Sequence, residues 1–168
     1  MKARQNLQHD AFTCNHIMPY ILHLVEEVPE ISRYLSVPAR DNSNAGVDLI
    51  TVENWAGSNG DHHLLNLGVK AMLTRSDTME PVHFWLAPRS SIYKTGHMMA
   101  NSMGVIDSSY RGTLKAPVVG GPYGPGFKAG DRHFQIVAPD MGWISEVRLV
   151  ASLPETVRGE GGFGSTGK

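Results

Sequence analysis

Glycine and proline punctuate this chain too densely for a helix bundle. Eighteen glycines and ten prolines stand in 168 residues. Each proline removes a backbone donor, and each glycine weakens a helix interior. Many short strands joined by turns are what such a sequence permits. From residue 45 onward the pattern agrees, with Val47, Leu49 and Thr51 alternating with Asp48, Ile50 and Val52. Residues 82–86 read as a short apolar and aromatic strand ahead of Pro88, and residues 112–119, 132–137 and 144–150 continue the series. Residues 54–63 and 120–130 read as turn-rich connections. The spacing suits a sandwich, jelly roll or small barrel.

Nearer the N-terminus, Ile21, Leu24, Val25 and Val28 recur at helical spacing, yet Tyr20, Leu22 and Leu24 also alternate as a strand would. Periodicity leaves that segment open. Residues 29–35 read as a short helix that tolerates Pro29 in its first turn.

The length fits one domain able to bury its own core. Charge is nearly balanced, 15 Lys+Arg against 16 Asp+Glu, so neither a nucleic acid nor a membrane surface is the expected partner. The single cysteine, Cys14, excludes an internal disulfide and fits a reducing compartment. No apolar run approaches a membrane span, and residues 1–10 lack the apolar block of a secretory signal. A soluble, intracellular protein is the expectation.

Five segments carry chemistry. AGVDL (45–49) sets Asp48 on a strand between apolar neighbours. APRSS (87–91) follows an apolar strand and offers a cation, Arg89, beside hydroxyls. GVIDSSYRG (104–112) places Asp107 after an apolar triplet, at a strand end where a carboxylate can orient and deprotonate a water. GDRHFQI (130–136) turns into an alternating strand bearing Gln135. RGEGGFGSTG (158–167) is glycine-rich, so its amides can converge on an anion; Arg158, Ser165 and Thr166 add donors, and Phe163 is its one large apolar group. Each alone has a plainer reading as a surface turn or a loose terminus. His62 and His63, beside Asp61, read as a solvated loop rather than a metal site, since adjacent strand residues point to opposite faces.

In this order and spacing the five segments closely resemble the five motifs of the trimeric dUTPase family, from about residue 45 to the C-terminus. The resemblance implies a distorted jelly-roll or β-barrel fold assembled as a homotrimer with shared active sites. A β domain over residues 1–157 would carry a mobile motif over 158–168, and residues 1–40 match nothing distinctive. It implies Mg²⁺-dependent hydrolysis of dUTP to dUMP and pyrophosphate. Asp48 would hold the hydrated Mg²⁺, and Asp107 would activate the attacking water. Arg89, Ser90 and Ser91, with Gln135, would meet the triphosphate. Tyr110 would lie against the deoxyribose, and Asn101 with the Gly104 hairpin would read uracil. From the tail, Arg158 would reach the γ-phosphate, Phe163 would cover the base, and Gly164, Ser165 and Thr166 would grip phosphates.

Three departures stand out. Ser91 sits where glycine is common, His133 and Phe134 differ from the usual fourth-motif pair, and residues 118–126 replace a more regular strand pair. A deaminase acting on dCTP, which shares the fold, and a non-catalytic interaction module are the alternative readings.

Overall fold

Tyr20, Ile21, Leu22, His23 and Leu24 are all buried, and that decides what periodicity left open. A helix on a domain's surface hides one face, so five consecutive buried residues exclude one, and backbone pairing along both edges makes the segment a strand covered on both sides. In the computed structural model, which describes residues 19–29, 31 and 43–162, this segment is strand β1 (Tyr20–Glu26). The proposed helix over 29–35 falls almost entirely outside the described residues, as does Cys14.

The remaining strands are β2 (Gly46–Leu49), β3 (His62–Asn66), β4 (Val69–Arg75), β5 (Pro81–Val82), β6 (Phe84–Pro88), β7 (Met98–Met99), β8 (Gly104–Ile106), β9 (Lys115–Val119), β10 (Phe134–Val137) and β11 (Ile144–Leu149). One 3₁₀ helix, Ser90–Thr95, follows β6. The strands form three sheets, ordered β11-β1-β4-β5, β2-β10-β6-β8 and β3-β9-β7. The described residues are thus almost all β, as the turn density required. None of their helices is long and apolar enough to cross a membrane.

Two expectations need correction. The strand read over 82–86 is two strands, split at His83: β5 pairs with β4 in one sheet, and β6 pairs with β10 and β8 in another. His62 and His63 are not loop residues but open β3, opposite Val119 and Val118. His63 stacks on Trp55 with centroids 5.4 Å apart and shares a 3.0 Å hydrogen bond with Glu53.

The core runs between the sheets. Leu22, Leu24, Leu73, Leu86, Phe127, Phe134 and Ile136 are at most 1% exposed. Burying such side chains stabilises by roughly 1.5–3 kcal/mol each relative to exposure. The glycine-proline stretch 120–126 is packed backbone to backbone, with Gly120 N donating to Asp61 O at 2.8 Å and Gly126 N to Thr95 O at 3.1 Å, while Gly121 N donates to the His97 ring at Nδ1, 3.0 Å away. Gly96 ends the 3₁₀ helix at φ +75, and a Cβ there would lie 1.7 Å from the Tyr123 carbonyl oxygen. The loop could not seat against any larger residue.

His23 is one of the buried titratable groups, 7% exposed and sharing a 3.1 Å hydrogen bond between its Nε2 and the Thr74 hydroxyl. Burial, and secondarily Arg148, push its pKa below the ordinary 6.5, with Glu146 opposing. The unfolded ring therefore takes a proton at higher pH than the folded one, and stability falls as pH drops below about 6.5 toward the lowered native value. His23→Gln is expected to flatten this part of the melting temperature–pH curve. Parallel curves for parent and variant between pH 5 and 7 would contradict the assignment.

Candidate functional site

Two clefts flank the sheet β2-β10-β6-β8. The first, of about 190 Å³, is walled by Leu86, β8 and the turn before it, Leu114, Pro117 and the Tyr110 ring, and Asp107 and Arg158 also line it. The second, of about 480 Å³, is polar and is lined by Ser43, Asn44, Asp48, Arg89, Ser90, Arg132 and Gln135 among others. The two share no lining residue among those described.

The polar cleft follows from strand register. Gln135 on β10 stands opposite Asp48 on β2 and Ala87 on β6, so the three share one face while Phe134 and Ile136 point to the core. Beyond Pro88 the chain leaves β6, and Arg89 caps the 3₁₀ helix with extended backbone. Its guanidinium donates through Nη1 to Arg132 O at 2.7 Å, and its Nε stands 2.8 Å from Asp48 Oδ1. Arg132 approaches the other Asp48 oxygen at 3.7 Å. One carboxylate among two guanidiniums leaves the cleft locally cationic, although the whole chain carries a formal charge of −1. Ser91 does not line this cleft; its hydroxyl lies 3.2 Å from Arg132 O and 3.0 Å from His133 Nδ1.

The apolar cleft is built around the turn after β8. Asp107 ends the strand, Tyr110 N donates to Asp107 O at 3.0 Å, and the Tyr110 hydroxyl donates to Thr113 O at 3.0 Å. Burial first, then Glu160 and Glu27, raise the phenol's pKa above its ordinary value, so the hydroxyl keeps its proton as a donor. Arg111, 9% exposed, holds the turn from behind, donating to Pro154 O at 2.7 Å and to Ser108 O and Tyr110 O at 2.8 Å. Burial lowers its pKa from the usual guanidinium value. Asn101, in the turn between β7 and β8, and Gly104 both line the cleft; the hairpin expected here does not form, because β7 pairs with β9 and β8 with β6.

The start of the tail lies across this cleft. Arg158 pairs with Asp107, its guanidinium carbon is 5.8 Å from the Tyr110 ring centroid, and its Nε donates to Gly161 O at 3.0 Å. Arg111 N donates to Gly159 O at 2.8 Å, and Glu160 pairs with Lys70. That pairing raises the Lys70 pKa and lowers that of Glu160. Phe163, Gly164, Ser165 and Thr166 lie outside the described residues.

Of the residues singled out in the sequence, the structure gathers Asp107, Asn101, Gly104, Tyr110 and Arg158 in one cleft, and Asp48, Arg89, Ser90 and Gln135 in the other. Sequence reasoning missed Arg132, whose only signal was a cation in the turn before β10, and also Ser43 and Asn44. His83 was missed too: it accepts Ser108 N–H at 3.1 Å and stands 3.5 Å from Asp107.

A magnesium ion, which the resemblance implies, would find one carboxylate here. Among the described residues no three His, Cys, Asp or Glu side chains gather as a ligand set. Asp48 in a cationic, polar cleft fits an ion that arrives with phosphate oxygens and waters as most of its ligands, the usual habit of Mg²⁺.

The family model described as dUTPase matches residues 34–167. A deoxyuridine 5'-triphosphate nucleotidohydrolase of Wolinella succinogenes is 36% identical over 135 residues, covering 79% of this chain and 87% of that protein. The same-named protein of Escherichia phage T5 is 36% identical over 131 residues, covering 73% and 85%. The solved structure of a native EIAV dUTPase aligns with a TM-score of 0.50 at 18% identity, over 69% of this chain and 85% of that one, a likeness of fold.

Arg111 yields a prediction independent of chemistry. Arg111→Leu removes three hydrogen bonds to carbonyls, one buried and two part-buried, and should lower unfolding free energy by roughly 1.5–3 kcal/mol. Urea denaturation measures it, and a loss below about 1 kcal/mol would mean that water replaces the guanidinium.

Proposed function

This chain belongs to the dUTPase family, and on that premise we propose that it is a dUTP diphosphatase, an enzyme that hydrolyses dUTP to dUMP and pyrophosphate. One observation carries the reading beyond family membership. An apolar cleft closed by the Tyr110 ring, with Asp107 at its edge, accompanies a separate cationic cleft bearing Arg89, Ser90, Arg132 and Gln135. A pyrimidine deoxynucleoside suits the first and a triphosphate the second.

In this reading the Asn101 carboxamide and the backbone at Gly104 meet uracil's imide edge, since an amide offers both a donor and an acceptor. The Tyr110 ring fills the space beside the sugar where a 2′-hydroxyl would sit. Asp107 takes a proton from water as its oxygen attacks the α-phosphorus, and the bond from that phosphorus to the leaving pyrophosphate breaks. Arg89, Ser90 and Gln135 hold the departing phosphates. Arg158 exchanges Asp107 for the γ-phosphate as substrate enters, freeing the base. Phe163 lies over uracil, and Gly164, Ser165 and Thr166 add donors to phosphate, closing the tail and excluding water. Asp48 would hold Mg²⁺ through water, and the ion would supply charge neutralisation to the phosphates.

The assembly we infer is a homotrimer whose sites combine segments of different copies. Its support is the family resemblance, together with the separation of the apolar and cationic clefts, which share no described lining residue and so leave each free to be completed by another copy. An intracellular setting is part of the same reading, supported by one cysteine in 168 residues.

The direct test is turnover of dUTP against UTP, dCTP and dTTP. dUTP should be cleaved far faster, because a site bonded to the imide leaves buried groups unpaired with cytosine. Equal turnover of UTP would sink the role given to Tyr110. Asp107→Asn should lower the rate by roughly 10²–10⁴-fold while a non-hydrolysable analogue still binds.

Sharing of sites has its own test. Neither the Asp107→Asn chain nor a chain truncated after Val157 should be active alone. Mixed together they should recover part of the activity, because some trimers would then assemble an intact site. Failure to complement, with trimers seen by light scattering, would place every catalytic group of a site on one chain.

A further inference from the structure

We propose that Ser91 and His133 are positioning residues of the cationic cleft, clipping the Arg89 loop to the Arg132 turn so that both guanidiniums are held ready for a polyphosphate. The inference rests on the reading of that cleft as the triphosphate site. Neither residue lines the cleft. Each acts through an arginine that does.

The contacts form one chain. His133 Nδ1 lies 3.0 Å from Ser91 Oγ, and Ser91 Oγ lies 3.2 Å from Arg132 O. Arg132 O also accepts from Arg89 Nη1 at 2.7 Å, and Arg89 N donates to His133 O at 2.8 Å. Ser91 has a single hydroxyl proton. It satisfies Arg132 O when His133 Nδ1 carries the ring hydrogen, and the bonds then run from His133 to Ser91 to the carbonyl.

His133 is itself fixed. Its side chain is 13% exposed, and its ring stands edge-on to Phe127 at 5.8 Å. The relay therefore starts from an immobile ring and ends on the backbone from which the Arg132 side chain springs. Arg89 commits Nη1 to that same carbonyl and Nε to Asp48, which leaves Nη2 as its uncommitted edge among the described residues. An arginine pinned at two nitrogens loses less freedom on meeting phosphate than a free one. Ser91 and His133 are also positions at which the motifs depart from the family pattern. Here the two departures are each other's partner.

The test uses the full chain and four variants: Ser91→Ala, His133→Leu, the double variant, and His133→Asn, whose carboxamide nitrogen can replace Nδ1. Inorganic tripolyphosphate binding by calorimetry is the main measurement, with deoxyuridine inhibition, kcat and KM for dUTP, and melting temperature beside it. Each single removal should weaken tripolyphosphate binding about 3- to 10-fold, the range that one neutral hydrogen bond supports. The double variant should lose no more than either single one, because both break the same relay. His133→Asn should recover most of the loss, KM should rise more than kcat falls, and deoxyuridine inhibition should stay at the parent value.

Unchanged tripolyphosphate binding, additive losses, or an equal loss of deoxyuridine binding would each overturn the proposal. If His133→Leu does not fold, Ser91→Ala compared with His133→Asn decides. A parent that binds tripolyphosphate without hydrolysing dUTP would instead count against the proposed reaction, leaving the relay to be judged on the binding measurements.

Discussion

Phe134 has no exposed surface, stands between Leu49 and Pro88 on the two neighbouring strands, and packs on the Phe127 ring at 5.6 Å. That burial locks the register of β10, and the cationic cleft depends on it. Side chains alternate faces along a strand, so a slip of one residue would drive Gln135 into the core and withdraw it from Asp48. The turn ahead of Phe134 sets Arg132 and His133, and the strand beside it delivers Arg89. The apolar cleft is anchored to the same sheet one strand further on, where β8 pairs with β6 and ends at Asp107.

The strands that the sequence revealed are those with one wet face. β2 and β10 alternate cleanly because Asp48 and Gln135 look toward a cleft while their neighbours look inward. The element that sequence reasoning left unassigned, β4, is buried on both faces, from Val69 through Ala71, Met72, Leu73 and Thr74. A strand covered on both sides loses its two-residue period and reads as an apolar run of no definite type. β1 was ambiguous for the same reason, lying between β11 and β4. The break at His83 had no composition signal, since only the neighbouring sheets decide where a continuous apolar segment changes partners.

The site was legible to a similar degree, and its gaps have a physical cause. Asp107, Tyr110 and Arg89 stand in local runs whose residue types already imply their chemistry. Arg132 and His83 act through neighbours distant in sequence, Asp48 for one and Asp107 with Ser108 for the other. No local pattern announces such a pairing. The glycine-proline stretch was opaque too, because its residues are chosen for what they lack: backbone from residues 95–96 occupies the space that side chains would need.

The parallel pairing of β1 with β11 sets Tyr20 against Ile144, 124 residues further along the chain. During synthesis β1 emerges well before β11, and one of its hydrogen-bonding edges has no occupant until all the residues between them have been made. An unpaired apolar edge is a template for other chains. Closing so wide a loop also costs chain entropy before any contact repays it, which slows folding. The nascent protein is therefore most exposed to self-association in the interval before β11 arrives. Its order of emergence from the ribosome, as much as its final contacts, governs how much of it reaches the native state.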